Sequence, residues 1–345
     1  MRVDEVAAMI RARGPELREL GQRADAARRE QVGDDVTYVV NRNINFTNLC
    51  VKSCKFCAFA EGHRSETAYF YAPEEVIRRA REAWELGATE VCLQAGLAAK
   101  VTGETYVELL GAVKEALPEL HVHGFSPAEV TYGAKKSGWT VEDMLRRLQD
   151  VGLGSLPGTS AEILDDSVRR RISPTRISTE QWTTVIRTAH RLGIPTTSTY
   201  MFGHLETPEQ LAAHLLLLRE IQEDTGGFTE VVPLSFVHYE APLFAKEPDV
   251  RPGPTGSEVL AVFAATRLAL GDVIPNLQAS WVKEGLRGAQ TLLDWGANDL
   301  GGTLQNESIS TAAGAPHGQW VKPPELERVI ADAGRPARQR TTLYA

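Results

Sequence analysis

Cysteine is scarce in this chain, with 4 in 345 residues. That number cannot build a disulfide framework over such a length, and it fits a reducing compartment. Long apolar runs are missing as well. The longest patch, Leu211 to Leu218, is interrupted by His214 and falls short of the ~20 residues a membrane span needs. The opening residues, MRVDEVAAMIRARG, carry charge throughout and lack the apolar centre of a secretory signal. A cytoplasmic setting without membrane contact is therefore expected. Basic charge is also in deficit: 37 Lys and Arg face 45 Asp and Glu, for a net charge of -8. The footprint of a nucleic-acid binder is not there, and a solvated acidic surface is the simpler account. No Gly-x-Gly-x-x-Gly follows the first apolar run, which weakens a dinucleotide-binding reading. No low-complexity stretch or linker divides the chain.

Hydrophobic residues make up 43% of the chain, ordinary for a full globular core. Residues 1–35 read as a charged helical extension. Val6, Met9 and Ile10 share one helix face, and Leu17, Leu20 and Ala24 continue it past Gly14. The β-branched run Val36–Val40 is the first expected strand. After it, helices and strands alternate. Strands are expected at 90–94, 121–125, around 155–157, and at 196–202, 229–237, 276–282 and 298–300. Helices are expected from Pro73 to Gly87 and over 106–117, 141–151, 181–192, 208–224, 258–270, 286–295 and 323–333. The joints LGATEV, VGLGSL, LGIPTT and WGANDL share one form: a helix end, a glycine in the left-handed stop position, then a strand. Repeated joints of this kind imply parallel strands with crossover helices. An eightfold series predicts an α/β fold, a (β/α)8 barrel of the triosephosphate isomerase type over 36–318, with a C-terminal helix and polar tail at 319–345. Its chemistry would sit at the C-terminal ends of the strands. A doubly wound open sheet is the alternative.

The few cysteines are concentrated. Cys50, Cys54 and Cys57 lie in a Cys-x3-Cys-x2-Cys pattern within NRNINFTNLCVKSCKFCAFAEGH, directly after the first strand. Three close thiolates can hold three irons of a cubane cluster and leave the fourth open, whereas closed ferredoxin-type or structural zinc sites want a fourth ligand. Zinc with His63 as that ligand and an inert group of thiols are the competing readings. Cys92, between Val91 and Leu93, reads as a packed thiol.

Other candidates are polar residues at or near strand ends. Gln94 closes the second strand. His121 and His123 share one face of the third, with His123 nearer its end. His204 and His238 close YMFGH and SFVH. Glu230, Ser280 and Lys283 come from later strands, and Lys283 suits a carboxylate. Asp299, Asn306 and Glu307 lie in the last strand and its loop, where Gly301-Gly302 permits close backbone approach.

The cysteine motif, with Phe56 before its last cysteine, resembles that of the radical S-adenosylmethionine (SAM) enzymes. The segments HVHGFSPAEV, GLGSLPGTSAEILDD, TTSTYMFGH, TGGFTEVVPLSFVH, ASWVKEG and GANDLGGTLQNESIS narrow the resemblance. They are similar to the deazaflavin-forming and menaquinone-forming branch, above all to the 4-hydroxybenzyl transferases of FO synthesis, from about Asn41 to His317. The resemblance implies a [4Fe-4S] cluster on Cys50, Cys54 and Cys57, with SAM on the open iron. Phe56, Gln94 and Glu162 would contact SAM. His123, His204, Glu230, His238, Ser280, Lys283, Asp299 and Glu307 would serve the substrates or the catalysis. It implies transfer of the 4-hydroxybenzyl group of L-tyrosine to 5-amino-6-(D-ribitylamino)uracil, a reducing electron donor, and a ring-closing FO synthase subunit as functional partner. Sister activities, aminofutalosine synthase and dehypoxanthine futalosine cyclase, share several segments. A non-catalytic iron–sulfur or zinc scaffold is the alternative of another class. One departure stands out: where the family often has Gln-Gly-Gly, this chain has Gln94-Ala95-Gly96, and the loop 97–105 lacks the usual His-Pro.

Overall fold

The structure, a computed structural model, describes every residue except Ser53. Its strands close into a parallel ring. The first stave is bent at Val40 into β1 (Val36–Val39) and β2 (Asn41–Asn45). Next come β3 (Glu90–Gln94), β4 (His121–Gly124), β5 (Thr196–Phe202), β6 (Phe228–Ser235) and β7 (Asp299–Gly302). β2, β3 and β4 form one ladder, β5 pairs with β6, and β7 returns to β1. Two staves are single bridges: Ser155 and Leu156 link β4 to β5, and Leu277 and Gln278 link β6 to β7. Eight parallel staves around one closed ring are the barrel that the sequence predicts.

Glycines 87, 152, 193 and 296 adopt positive φ of 86°, 98°, 75° and 102°, as the four repeated joints require. β2 was not among the expected strands because Asn-Arg-Asn-Ile-Asn is depleted in strand formers. Side-chain hydrogen bonds add to its ladder with β3 and the burial of Ile44. Asn41 Nδ2 donates to Glu90 Oε1 at 3.0 Å, and Asn45 Nδ2 donates to the Gln94 carbonyl at 3.1 Å. An unanticipated helix, Pro127–Ser137, follows β4, capped by Ser126. The helix expected at 106–117 runs Gly103–Ala116, starting earlier because Thr102 accepts the Thr105 N–H.

The N-terminal residues are helical as expected, over Val3–Arg11 and Gly14–Val32. Leu17, Leu20 and Ala24 pack on Ala261 and Ala264 of the helix Gly256–Leu270. The C-terminal segment is more than a tail. Beyond the helix Pro323–Asp332, β8 (Ala337–Gln339) pairs in parallel with β1. Arg340 then turns under the barrel. Its Nε donates to Asp299 Oδ2 at 2.5 Å and its Nη2 to Glu230 Oε2 at 3.0 Å. Tyr344 donates its hydroxyl to Glu230, and Thr342 Oγ1 donates to Glu90 Oε2 at 2.5 Å.

This network corrects the placement expected for Glu230 and Asp299. Both belong to the N-terminal parts of their strands, β6 and β7, so they close the base of the barrel and do not reach its mouth.

Candidate active site

The C-terminal ends of the strands surround a cavity of about 240 Å³. Three turns build its chemically active wall. The first is the cysteine loop. Cys50 N–H donates to the Glu61 carbonyl (3.2 Å) and Lys55 N–H to that of Ile172 (2.8 Å). From the other side the Leu243 N–H reaches the Lys55 carbonyl (2.6 Å), and Lys55 Nζ pairs with Glu247 Oε1 (2.6 Å). The loop is thus stitched on both flanks while its thiols face inward.

The second turn is Gln94-Ala95-Gly96-Leu97. Leu97 N–H points at Cys50 Sγ (3.4 Å), and Val51 N–H donates to the Leu97 carbonyl (2.9 Å). A side chain at Gly96 would put its Cβ 2.3 Å from the Leu49 carbonyl oxygen, so glycine is required there by close approach. Ala95 sits in the cavity lining, and the departure from Gln-Gly-Gly falls on the residue with room for a methyl.

The third turn is Ser160-Ala161-Glu162. Ser160 and Glu162 have φ of 67° and 45°, a costly conformation for side-chain-bearing residues. Two arginines hold it. Arg169 donates to the Ser160 carbonyl (3.0 Å) and to that of Ala161, and Arg176 Nη2 donates to Ser160 Oγ (2.7 Å). Arg176 Nη1 also binds Glu162 Oε1 at 2.9 Å. The other oxygen, Oε2, is buried without a hydrogen-bond partner among the described residues. A buried carboxylate oxygen without a hydrogen bond is expensive; its nearest cation, Arg169 Nη1, stays 3.7 Å away, and Glu162 lines the cavity.

Cys50, Cys54, Cys57, Phe56, Gln94, Glu162 and Lys283 all line this cavity. Burial pushes the Cys54 thiol up to about 11 and raises that of Cys57, while the Arg176 guanidinium pulls both down. A bound metal would take over that compensation, because thiolates are its ligands. Among the described residues no group of three or more His, Cys, Asp or Glu converges to hold a single metal ion. A cubane asks each thiolate for a different iron, whereas one zinc ion needs its ligands to converge. His63 is exposed on the outer loop and does not line the cavity, so it does not support the zinc reading.

Gln94 is loosely held, its Oε1 3.5 Å from Thr159 Oγ1 and its Nε2 3.6 Å from Cys92 Sγ. Cys92 stays within β3, where burial drives its thiol well above the usual range. Phe56 lies under Arg176, whose guanidinium carbon is 5.9 Å from the ring centroid. Lys283 starts the helix Trp281–Leu292. Its ammonium makes no hydrogen bond or ion pair among the described residues, and the Glu307 and Glu284 carboxylates lie in its field.

The structure separates the remaining candidates from the cavity. His123 is buried inside the barrel below it, with Nδ1 2.6 Å from Ser155 Oγ, and His121 reaches the same hydroxyl at 2.7 Å. The side-chain alternation was read correctly, but the third stave is short and its inward histidine faces the interior network. His204 is fully buried; its Nδ1 accepts the Leu205 N–H (2.7 Å) and its Nε2 meets the Met201 carbonyl (3.0 Å). It braces its own turn. His238 lies tilted against Tyr239 and meets Phe244 edge-on in a rim loop. Ser280 opens the helix carrying Lys283, and its carbonyl accepts the Lys283 N–H at 3.0 Å. Glu307 spends its carboxylate on the Ser310 N–H (3.0 Å). Asn306 receives Arg42 on the outer surface (2.7 Å).

Sequence reasoning missed two residues. Arg176, in RRRISPTRIS, had no signal beyond a crowd of arginines. Glu129 lay in Ser126-Pro-Ala-Glu, the capping-box spacing, which would have flagged a helix start but not a cavity.

The description "Radical SAM superfamily" matches residues 44–218, and "CofH/MqnC C-terminal region" matches 225–345. The 5-amino-6-(D-ribitylamino)uracil–L-tyrosine 4-hydroxyphenyl transferase of Methanopyrus kandleri is 52% identical over 93% of this chain and 87% of its own length. The FO synthase of Streptomyces avermitilis is 48% identical over 99% of this chain, which spans only 39% of that larger protein. Among solved structures, methylornithine synthase superposes with a TM-score of 0.75 at 19% identity, covering 98% of this chain and 94% of that one, a likeness of fold.

Proposed function

The chain belongs to the radical SAM superfamily, and from that premise we propose that it joins the 4-hydroxybenzyl group of L-tyrosine to 5-amino-6-(D-ribitylamino)uracil, a step of deazaflavin (FO, coenzyme F-420) biosynthesis. The carrying observation is near-half identity along almost the whole chain to transferases of that name. The cavity supplies suitable chemistry. Cys50, Cys54 and Cys57 would hold three irons of a [4Fe-4S] cluster, leaving one for SAM. When bound, the pair would supply the radical chemistry that removes a hydrogen atom from tyrosine, so that its 4-hydroxybenzyl group can pass to C5 of the uracil.

The chain's own residues position and shield this chemistry. Arg176 sets a fixed positive charge beside the thiolates. The Oε2 of Glu162, which has no hydrogen bond among the described residues, would accept from the SAM ammonium, and Gln94 with the Ala95 turn forms the neighbouring wall. The free ammonium of Lys283 suits the tyrosine carboxylate. Phe56, Phe59, Tyr200 and Phe236 give the lining apolar cover that excludes water from a radical.

The FO synthase relatives are more than twice as long as this chain, which supports a ring-closing partner acting next. No helix among the described residues is long and apolar enough to cross a membrane. With the unpaired thiols, this supports a cytoplasmic site supplied by a reducing electron donor.

The test is direct. The protein is reconstituted with iron and sulfide, then given SAM, reductant, tyrosine and the ribitylaminouracil under anaerobic conditions. The benzylated adduct and 5′-deoxyadenosine are expected by mass spectrometry. Absence of adduct alongside turnover of a futalosine-type substrate would overturn the assignment.

A further inference from the structure

Atom balance sets a requirement that the residues discussed so far do not meet. Tyrosine enters with an ammonium carrying three hydrogens, and the glycine-derived imine keeps one. One N–H bond breaks homolytically, and its hydrogen atom forms the new C–H bond at the 5′ carbon of the deoxyadenosyl radical. The other hydrogen leaves as a proton. The Cα–Cβ bond breaks, the C=N bond forms, and the unpaired electron ends on the benzyl carbon. A base must therefore stand in the cavity, given the function proposed above.

Few groups qualify. The lining contains two carboxylates, Glu129 and Glu162. Glu162 is committed to Arg176, with Arg169 3.7 Å away. Burial lowers Lys283 against the opposing fields of Glu307 and Glu284, but its ammonium is already assigned to the tyrosine carboxylate. Tyr200 shares its hydroxyl with Thr266 at 2.6 Å. His123 and His204 are turned away.

Glu129 is different. It is 2% exposed and makes no ion pair among the described residues. Its Oε2 accepts the Ser126 N–H (2.7 Å) and Ser126 Oγ–H (2.6 Å), which completes the helix cap. Capping needs nothing more. Yet Glu129 lines the cavity, and its Oε1 has one donor among the described residues, the Ala95 N–H at 2.9 Å, which leaves it capacity to accept another hydrogen bond. We propose that Glu129 is the catalytic base that accepts the ammonium proton of tyrosine.

The electrostatics agree. Burial pushes the Glu129 carboxyl up to about 7, against the pull of its three donors and of Arg176. The other groups in its field are Cys92 and Tyr106, and the Tyr106 hydroxyl is buried without a partner. A base poised near neutral pH is the useful kind.

The test uses the reconstituted enzyme. In the wild type, kcat for 5′-deoxyadenosine and adduct should rise with pH through a limb near neutrality, since the base must be deprotonated. Glu129→Gln, which can still cap, should lower kcat about 100-fold and erase that limb, with SAM affinity and cluster absorbance retained. In the cluster-free protein, a carboxyl infrared band titrating near neutral pH should vanish in the same variant. A limb retained in Glu129→Gln overturns the proposal, as does equal loss of cluster and SAM binding with an unchanged profile. Should Glu129→Gln fail to fold, Ser126→Ala, which removes one donor to the carboxylate, must move the limb to higher pH; an unmoved limb overturns it. Lack of adduct from the wild type defeats the functional assignment and not this residue's role alone.

Discussion

The two ends of the barrel use the same chemical groups to opposite effect. At the base, Glu230 and Asp299 are buried with Arg340, and Thr37, Thr342 and Tyr344 supply hydroxyls to the acids there. Each of these acids is hydrogen-bonded there, Glu230 and Asp299 by the shared Arg340. At the mouth, Glu162 and Arg176 are also buried and paired, but one carboxylate oxygen is left over, and the Lys283 ammonium has no partner among the described residues. Neither the type of residue nor its burial distinguishes structure from function here. What differs between the two ends is the hydrogen-bonding capacity that Glu162 and Lys283 leave open inside a cavity.

Five measurements break or sharpen this contrast. The largest effect belongs to Cys54→Ala. It should abolish cluster absorbance and SAM cleavage while the circular dichroism spectrum and melting temperature stay near wild type, because no stabilising contact at the base is touched. Retained cleavage refutes the ligand assignment. At the other end, Arg340→Ala leaves two buried carboxylates uncompensated and should cost about 3–5 kcal/mol of stability, read by urea unfolding, with SAM affinity of the folded fraction unchanged. A silent Arg340→Ala would mean that the base is not the closed seal described.

Lys283→Met removes a free charge, so it should raise the KM for tyrosine by roughly 10- to 100-fold, about 1.4–2.8 kcal/mol, without loss of stability. An equal rise for the uracil substrate would contradict the proposed pairing. Acid should act on the scaffold. Burial lowers His123 and His190 to about 4 and His214 to about 3. A neutral histidine depressed in the folded state contributes stability that is present above about 6.5 and lost as pH falls toward 4. The unfolding midpoint should fall over that window by on the order of 1 kcal/mol per pH unit for each such histidine; a flat profile would contradict their burial as neutral groups. The smallest effect is expected from Arg146→Ala, in an exposed helical pair with Glu142, which should leave the melting temperature unmoved.

The fold was legible because its signals are local and repeat. Helix stop, glycine and strand recur four times, and those four glycines have the backbone the pattern demands. β2 escaped because its stability comes from Asn41 and Asn45 reaching across to β3, a tertiary fact with no periodicity. β8 escaped because Ala-Arg-Gln is polar and exposed, and only its pairing with β1 makes it a strand.

At the site, spacing was enough for the thiols, since their proximity follows from adjacency in the chain. For the histidines it was not. A place at a strand end does not guarantee a place at the mouth: His123 points into the barrel and His204 folds back on its own turn. Arg176 and Glu129 are brought to the wall by a bend after a short helix and by a cap, neither of which announces a cavity. The substitution at Ala95 could be noticed in the sequence but not judged, because the tolerance of 95 and the intolerance of 96 depend on where the Leu49 carbonyl lies.

The pairing of β1 with β7 and β8 also bears on how the chain acquires its shape. Thr37 finds one neighbour at Asp299 and another at Arg338, so the first stave cannot be completed until residues hundreds of positions later are available. During synthesis β2, β3 and β4 can zip together early, whereas β1 must wait with an unpaired edge. Such long-range closure slows folding and leaves a nascent half-barrel open to aggregation. A ribosome pausing before residue 337 would hold the protein with its cluster loop already made and its floor still missing.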